Sequence, residues 1–448
     1  MQEIIPQSLL RLAKGCPSTL FVVGGSVRDF LCGYTPLSGK RDWDICSRIP
    51  VDAFEALAKN CGFVVRAVYK NTGTVKLQDG EGVEYEYSRF RSDKYVRGVH
   101  TPVEIYFTDD IALDARRRDF TANAVYYDIA DGKFVDPLGG IQAIKERRLS
   151  TVAAAKKVFG EDGLRLMRLA RFGAQLGFTP DGECLAGARE NAALIRDISP
   201  ERIFAELSAI LSADKKYGVK NGHYLGLQLL SQTRVLDEIL PELTLGRDMK
   251  QRADFHKYDV LEHSLRAVLY ADESVRFAAL LHDIGKPFCK LRDGNSHEHH
   301  KEGARLAADV LRRWKAPNKL IDGVQRLVLW HMYDFNCQTG EKKLRRFFVE
   351  HYPVLEALLL VKQADFSACT DDLSVAPTVA RWQALQSKLR EENAPLTLKQ
   401  LAISGKDLIN EGFAPDTIGG ILERLLLHAV VKPEDNEKTR LLRLAKYI

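Results

Sequence analysis

The chain of 448 residues predicts an α/β head over residues 1–150 followed by an all-α body. Three observations carry that expectation. Residues 74–77, 83–87 and 103–107 alternate apolar and polar side chains with β-branched and aromatic types, as half-buried strands do, and glycines punctuate the joins. Beyond Ala153 the texture changes: residues 163–177 and 200–211 place apolar side chains three and four apart, the period of an amphipathic helix. The length itself exceeds what a single hydrophobic core fills, so roughly two to four domains are expected.

Taken in order, Phe21-Val22-Val23 reads as a short buried strand, Gly24-Gly25 as a tight turn with bare backbone, and Ser26 to Leu31 as a helix start. A strand, a glycine turn and a helix N-terminus form a cradle for an anion such as a triphosphate, to which Arg28 adds a charge-assisted contact. Asp42-Trp43-Asp44-Ile45 follows as a second strand. Residues two apart on a strand project from one face, so both carboxylates aim at one spot and suit Mg²⁺. Residues 52–60 predict a helix. Arg116-Arg117-Arg118-Asp119-Phe120-Thr121-Ala122-Asn123-Ala124 sets a polar edge beside three arginines, suited to a ribose, phosphate or base. On one helix, Asp162, Arg165 and Arg168 share a face, and an Asp beside an Arg matches the Watson–Crick edge of a base. Pro241 and Gly246-Arg247-Asp248 mark a linker, with helical texture resuming near His256.

Composition bounds the functional classes. A hydrophobic content of 45% and a charged content of 28% are ordinary for a globular protein, and the net charge of +5 permits nucleic acid without requiring it. Between Lys145 and Arg171, however, eight basic residues face three acidic ones, a local basic stripe. The eight cysteines show no Cys-x-x-Cys spacing, which argues against a disulfide framework or zinc-thiolate site. Residues 1–15 carry no long apolar core or small-residue cleavage site, and no apolar stretch reaches membrane length. A reduced, cytoplasmic enzyme without membrane association is the expectation, and no feature specifies an oligomeric state.

The ordered motifs Gly24-Gly25-x-Val27-Arg28-Asp29, Asp42-x-Asp44, Arg117-Arg118-Asp119-Phe120-Thr121-x-Asn123-Ala124, Asp136-Pro137-x-Gly139-Gly140 and Glu161-Asp162-x-x-Arg165-x-x-Arg168-x-x-Arg171-Phe172 resemble the bacterial tRNA nucleotidyltransferase and poly(A) polymerase family. This is the class II branch of the polymerase-β-like nucleotidyltransferases. The resemblance implies that Asp42 and Asp44 hold two Mg²⁺ ions, that Gly25 and Arg28 contact nucleotide phosphates, and that Arg118, Asp119, Asn123, Asp162, Arg165, Arg168 and Arg171 complete the nucleotide pocket. Asp162 and Arg165 would select CTP or ATP, and Glu86 matches a family acidic position near the site. The implied reaction is in-line attack of a tRNA 3′-hydroxyl on the α-phosphorus, with pyrophosphate leaving. The chain departs from the family at Tyr95-Val96-Arg97-Gly98-Val99-His100-Thr101-Pro102, where relatives carry an Asp-Gly-Arg-Arg-Pro-like stretch in the flexible loop that helps switch from C to A addition.

A second constellation comprises His263, His282-Asp283 and Asp365, joined by His299 and His331. Imidazole and carboxylate donors suit a divalent metal, and adjacent His-Asp donors reach one ion. Ala278-Ala279-Leu280-Leu281-His282-Asp283-Ile284-Gly285-Lys286 resembles the signature of the HD phosphohydrolase superfamily. The resemblance implies that His263, His282, Asp283 and Asp365 bind a first ion (Mg²⁺, Mn²⁺, Ni²⁺ or Co²⁺), that His299 and His331 help bind a second, and that the substrates are phosphomonoesters or cyclic phosphodiesters, including damaged tRNA ends.

The expected organisation is a polymerase-β-like nucleotidyltransferase head (1–150), a helical neck for nucleotide selection and RNA binding (151–245), an HD domain (246–370) and a helical tail (371–448). The leading expectation is CCA addition to tRNA. Poly(A) polymerase is the runner-up; its relatives carry an extra arginine-rich motif where residues 61–75 lie here. CC-only and A-only enzymes share the Glu-Asp-x-x-Arg motif. The other class considered is a nucleotide-sensing RNA-binding module with a working HD hydrolase.

Overall fold

The computed structural model describes residues 1–35, 42–96 and 102–447, and the chain divides into two compact units, Met1–Pro241 and Glu242–Ile448. The first is built on a sheet of seven strands: β1 (Phe21–Val23), β2 (Trp43–Ser47), β3 (Val64–Tyr69), β4 (Thr74–Gln78), β5 (Glu84–Arg89), β8 (Tyr126–Asp128) and β9 (Phe134–Val135). A separate hairpin pairs β6 (Arg91–Lys94) with β7 (Glu104–Phe107). The strands run in the order β3-β4-β5-β2-β1-β8-β9, and β2 lies parallel to β5 while its other neighbour, β1, is antiparallel.

Alternation along β2 and β5 gives the sheet two unlike faces. Trp43, Ile45, Tyr85 and Tyr87 are buried, and the Tyr87 ring stacks on Phe54 of the helix Val51–Asn60 with centroids 3.6 Å apart. Asp44 and Glu86 are register partners on the opposite, solvent-exposed side. Covering one face with a helix therefore leaves the other to carry charge, as the period of a strand requires.

After the sheet come the helices Ala155–Glu161, Leu164–Leu176, Gly182–Glu190, Pro200–Leu211 and Gly222–Gln232. Leu164–Leu176 is central among them, with Leu166, Met167, Leu169, Ala170, Ala174 and Leu176 all buried. The expected continuity through Asp162 does not hold. Asp162 is extended at the end of Ala155–Glu161, and its Oδ1 accepts from the Leu164 amide at 2.9 Å. The chain breaks because Gly163 packs against the Leu194 carbonyl, where a β-carbon would lie 2.5 Å from the oxygen. Asp162 thus shares no helix face with Arg165 and Arg168.

The second unit is helical, through Val260–Tyr270, Arg276–Leu281, Gly285–Asp293, His299–Arg313, Asn318–Trp330, Leu355–Thr370 and Pro377–Glu391. Its C-terminal part has its own core, in which Leu401, Leu408, Leu425 and Leu441 meet. The helix Ile418–Ala429 lies in this tail. Among the described residues, no helix is long and apolar enough to cross a membrane.

Candidate functional site

The glycine turn after β1 and the carboxylates of β2 form one site. Gly24 adopts φ +78°, outside the range comfortable for other residues, and heads the helix Gly25–Leu31. Its bare α-carbon faces Asp44: a β-carbon there would lie 3.0 Å from Asp44 Oδ2. Ser26 Oγ donates to the Asp42 carbonyl, which ties the helix start to the residue just before β2. Asp42, Asp44 and Glu86 line a cleft of about 390 Å³ together with Arg66 and Lys76. Glu86 pairs with Lys76 at 3.5 Å.

Partial desolvation pushes the Asp44 carboxyl up; Arg118 opposes this and the charges of Glu86 and Asp42 reinforce it. Carboxylates crowded until one resists ionising are a donor set that a hard divalent cation relieves. The residues present therefore fit a hard divalent cation, which Asp42 and Asp44 would hold.

The arginines of the sequence motifs converge nearby, but most are already engaged. Arg28 is 3% exposed. Its Nε and Nη2 donate to Asp29 Oδ1 at 3.0 and 2.6 Å, and its Nη1 to Asn123 Oδ1 at 2.7 Å. Asn123 donates in turn to Asp119 Oδ1 at 3.0 Å, while Asp119 Oδ2 accepts from Arg168 Nε at 2.7 Å. Burial alone would raise Asp119; Arg168 and Asn123 outweigh it and hold the carboxyl well below the usual range. Arg28, Arg168 and Arg171 gather around the Phe172 ring at 5.0, 5.1 and 4.4 Å. Arg171 also pairs with Glu206 at 2.7 Å. Arg165 is buried, donating to the carbonyls of Val158 (3.0 Å) and Arg117 (2.8 Å) and to Glu161 (2.9 Å). Arg165 thus braces the junction between the head and its first helices.

One organising residue escaped the sequence reading. Asp114, fully buried in the helix Ile111–Arg116, accepts from Arg117 Nε at 2.7 Å, Arg118 Nη2 at 3.1 Å and the Tyr126 hydroxyl at 2.7 Å. Burial would raise its pKa, but the two arginines and the hydroxyl hold it at about 2. The signal was present: Asp114 precedes Arg117 and Arg118 by three and four positions, the spacing of helical ion pairs. Tyr217, which donates to Asp29, gave no comparable sign. Of the departing loop stretch, residues 97–101 lie outside the described residues.

The second cluster is buried within the Glu242–Ile448 unit. His263 Nε2 lies 3.1 Å from His282 Nε2 and 3.0 Å from Asp365 Oδ1, and His282 Nε2 lies 3.4 Å from Asp365 Oδ1. Asp283 stands between two groups. Its Oδ2 is 3.3 Å from both His263 and His282, and its Oδ1 is 3.2 Å from His299 and 3.7 Å from His331. The Nδ1 atoms of His282, His299 and His331 each face a backbone carbonyl, of Ala279, Ser296 and Val328, at 2.7–2.8 Å. A carbonyl only accepts, so each ring carries a proton on Nδ1 and turns Nε2 toward the centre, the atom that offers a lone pair to a metal once the ring is neutral.

Lys286 Nζ approaches Asp283 Oδ2 at 2.6 Å, yet neither Asp283 oxygen has a partner in hydrogen-bond geometry. Burial would lower His282, but Asp283 and Asp365 raise it to about 10. A fully buried carboxylate met by inward Nε2 atoms on both of its oxygens is a donor set that fits a divalent metal. All six sequence-predicted residues meet here. His256, whose ring meets His263 edge-on at 4.9 Å, and Lys286 were not anticipated.

Residues 20–150 match the family described as the poly A polymerase head domain, 177–245 match "Probable RNA and SrmB- binding site of polymerase A", and 260–365 match the HD domain. The A-adding tRNA nucleotidyltransferase of Deinococcus radiodurans is 32% identical over 371 residues, covering 79% of this chain and 77% of that protein. The CCA-adding enzyme of Geobacillus stearothermophilus is 30% identical over 428 residues, covering 94% and 91%. The chain belongs to the tRNA nucleotidyltransferase family. The crystal structure of the Bacillus stearothermophilus CCA-adding enzyme in complex with CTP has the same fold, with a TM-score of 0.65 at 24% identity over 98% of this chain and 96% of that one. In this nucleotidyltransferase the head match contains Asp42, Asp44, Glu86 and Arg118, and the HD match contains His263, His282, Asp283, His299 and His331 and ends at Asp365. Both domain types use divalent metals.

Proposed function

We propose that this nucleotidyltransferase adds CMP and AMP from CTP and ATP to the 3′ end of tRNA, building and repairing the CCA terminus in the cytoplasm. The observation that carries the reading is the convergence of Asp42, Asp44 and Glu86 on one cleft beside the Gly24 turn. It is supported by likeness to CCA-adding enzymes along 94% of the chain. Mg²⁺, which Asp42 and Asp44 would hold, would supply charge neutralisation and Lewis acidity for the attacking hydroxyl. The chain's own residues do the positioning. The turn at Gly24-Gly25 presents bare backbone to the triphosphate, and Arg118, anchored on Asp114, directs positive charge toward Asp44. The Arg28–Asn123–Asp119–Arg168 network fixes the pocket wall. Asp162, with one oxygen spent on the Leu164 amide, keeps its other for a base edge, and Arg165 holds that junction in place.

A-only addition is the second reading, favoured by the 32% identity to the Deinococcus A-adding protein. Sequencing the products made from tRNA ending before CCA, and from tRNA ending in CC, with CTP, ATP or both, separates the two. Full CCA on the shorter tRNA is expected; extension of the CC-ended tRNA alone would establish the A-only reading.

For the second unit, the inference is a metal-dependent phosphohydrolase acting on phosphomonoesters or cyclic phosphodiesters. Its support is Asp283, whose two oxygens each face a different set of histidines. A divalent metal bound there would supply a nucleophilic water at neutral pH. His263, His282, Asp283 and Asp365 would hold one ion and His299 and His331 a second. Water adds to phosphorus, the ester P–O bond breaks, and the alcohol leaves with a proton. Assaying His282→Ala and Asp283→Ala for ester hydrolysis and for CTP incorporation tests it: only hydrolysis should be lost.

A further inference from the structure

His299 of the HD cluster lines a cavity of about 590 Å³ together with Lys250, Arg252, Lys286 and Lys290, with no carboxylate in its wall. Such a wall favours an anion, which is consistent with a phosphoester and does not distinguish one ester from another. The strap on one side of the cavity does. Phe255 lines it while remaining 55% exposed. The Arg252 guanidinium lies over that ring, 4.7 Å from its centroid, and Arg252 is itself held by Asp254 at 2.6 Å.

The strap is anchored at several points. Lys290 Nζ donates to the Lys250 carbonyl at 2.8 Å, Lys286 Nζ to Gln251 Oε1 at 2.9 Å, and the amides of Phe255 and His256 both donate to the Arg252 carbonyl. The residue after Phe255 is His256, whose ring abuts the His263 ring of the metal cluster. A flat, exposed aromatic surface backed by a guanidinium therefore lines the same cavity as His299 of the metal cluster. Stacking of a base on such a surface accepts any base.

We propose that Phe255, backed by Arg252, is a nucleobase-stacking platform, so that the HD site takes base-bearing phosphoesters, such as a nucleotide or an RNA end, in preference to base-free ones. The proposal rests on the phosphohydrolase reading above and deepens it. Phe255 determines specificity through binding; it performs no chemistry.

Two measurements on the full chain test it. In the first, hydrolysis of adenosine 2′,3′-cyclic phosphate and of glycerol 1,2-cyclic phosphate is followed by phosphorus NMR for wild type, Phe255→Ala and Phe255→Tyr. Phe255→Ala should raise KM for the adenosine ester about tenfold and leave the glycerol ester unchanged, with Phe255→Tyr restoring wild-type behaviour. Because Phe255 is exposed, the thermal midpoint should not move. In the second, 8-azidoadenosine 2′,3′-cyclic phosphate is photolysed on the protein and the labelled peptides are mapped; a label within residues 249–256 that disappears in Phe255→Ala is expected. Equal effects on both esters, or no effect on either, with the second-unit label elsewhere, would overturn the platform while leaving the hydrolase reading intact. If wild type cleaves neither ester, the hydrolase reading falls and the label alone decides the platform.

Discussion

Gly24 and Asp44 lie back to back: a β-carbon on Gly24 would sit 3.0 Å from the Asp44 Oδ2 atom. The glycine is also at φ +78° and ψ −136°, a region that other residues occupy at a cost of about 1–3 kcal/mol. Gly24→Ala should therefore lower unfolding stability by about that amount and displace the carboxylate. Nucleotide incorporation should fall at least about 10²-fold, measured beside denaturant unfolding. A variant as active as wild type would separate the turn from the metal carboxylates.

Asp44 itself should show opposite signs for stability and activity. Its carboxyl is raised in the folded protein by desolvation and by Glu86 and Asp42, against Arg118. A raised carboxyl is a folded-state penalty above its pKa that fades as pH falls through it. In metal-free buffer at pH 7, Asp44→Asn should raise the thermal midpoint slightly, and the gain should vanish on acidification. Added Mg²⁺ should raise the wild-type midpoint more than that of the variant, while incorporation is abolished and tRNA binding kept.

Asp114 should make the head sensitive to acid. Its folded pKa of about 2, against an ordinary value of 3.8, corresponds to about 2 kcal/mol of stability. That contribution is present above pH 3.8 and is lost as pH falls toward 2. Asp114→Asn should cost about 3 kcal/mol at pH 7, since Arg117 and Arg118 lose their buried partner. The difference from wild type should shrink below pH 4 in a urea series, where an unchanged gap would refute the assignment.

Asp162 and Arg165 should separate base choice from folding. Asp162→Ala removes the cap on the Leu164 amide, costs about 1 kcal/mol, and should relax discrimination among the four nucleotides. Arg165→Ala removes three anchoring contacts and should cost about 2–3 kcal/mol in addition to damaging selection. Single-turnover incorporation of each nucleotide, read against unfolding curves, checks both. Unchanged selectivity in Asp162→Ala would remove that residue from the base-reading role.

The HD cluster should bind metal independently of the head. Mn²⁺ or Ni²⁺ should raise the wild-type thermal midpoint by several degrees, and Asp283→Asn should abolish the rise because that residue faces both histidine groups. CTP incorporation by Asp283→Asn should remain near wild type. A parallel loss of both activities in a folded variant would mean that the centres are not separate.

Much of this was legible in local pattern. The period-two alternation around Asp44 and the three–four spacing in Leu164–Leu176 each reflect one element burying one side. The HD histidines were legible because adjacent His-Asp donors are a short-range signal. Asp162 was misread because a helical period was carried through a residue at which the chain turns extended, and the cause, the Leu194 carbonyl against Gly163, lies some thirty residues away. Arg28 and Arg165 were found by motif, but nothing local disclosed how fully they are engaged.

The sequence by itself determined most of the element order, the identity of the charged groups and which motifs are neighbours along the chain, because periodicity, turn chemistry and motif spacing are written there. Only the tertiary structure decided which charges are spent and which remain to act. Asp114 takes up Arg117 and Arg118, and Asn123 takes up Arg28. Asp283 meets Lys286 and turns an oxygen toward each set of histidines. The physical reason is that a charge's availability depends on burial and on partners distant in sequence, and these exist only once the chain has folded.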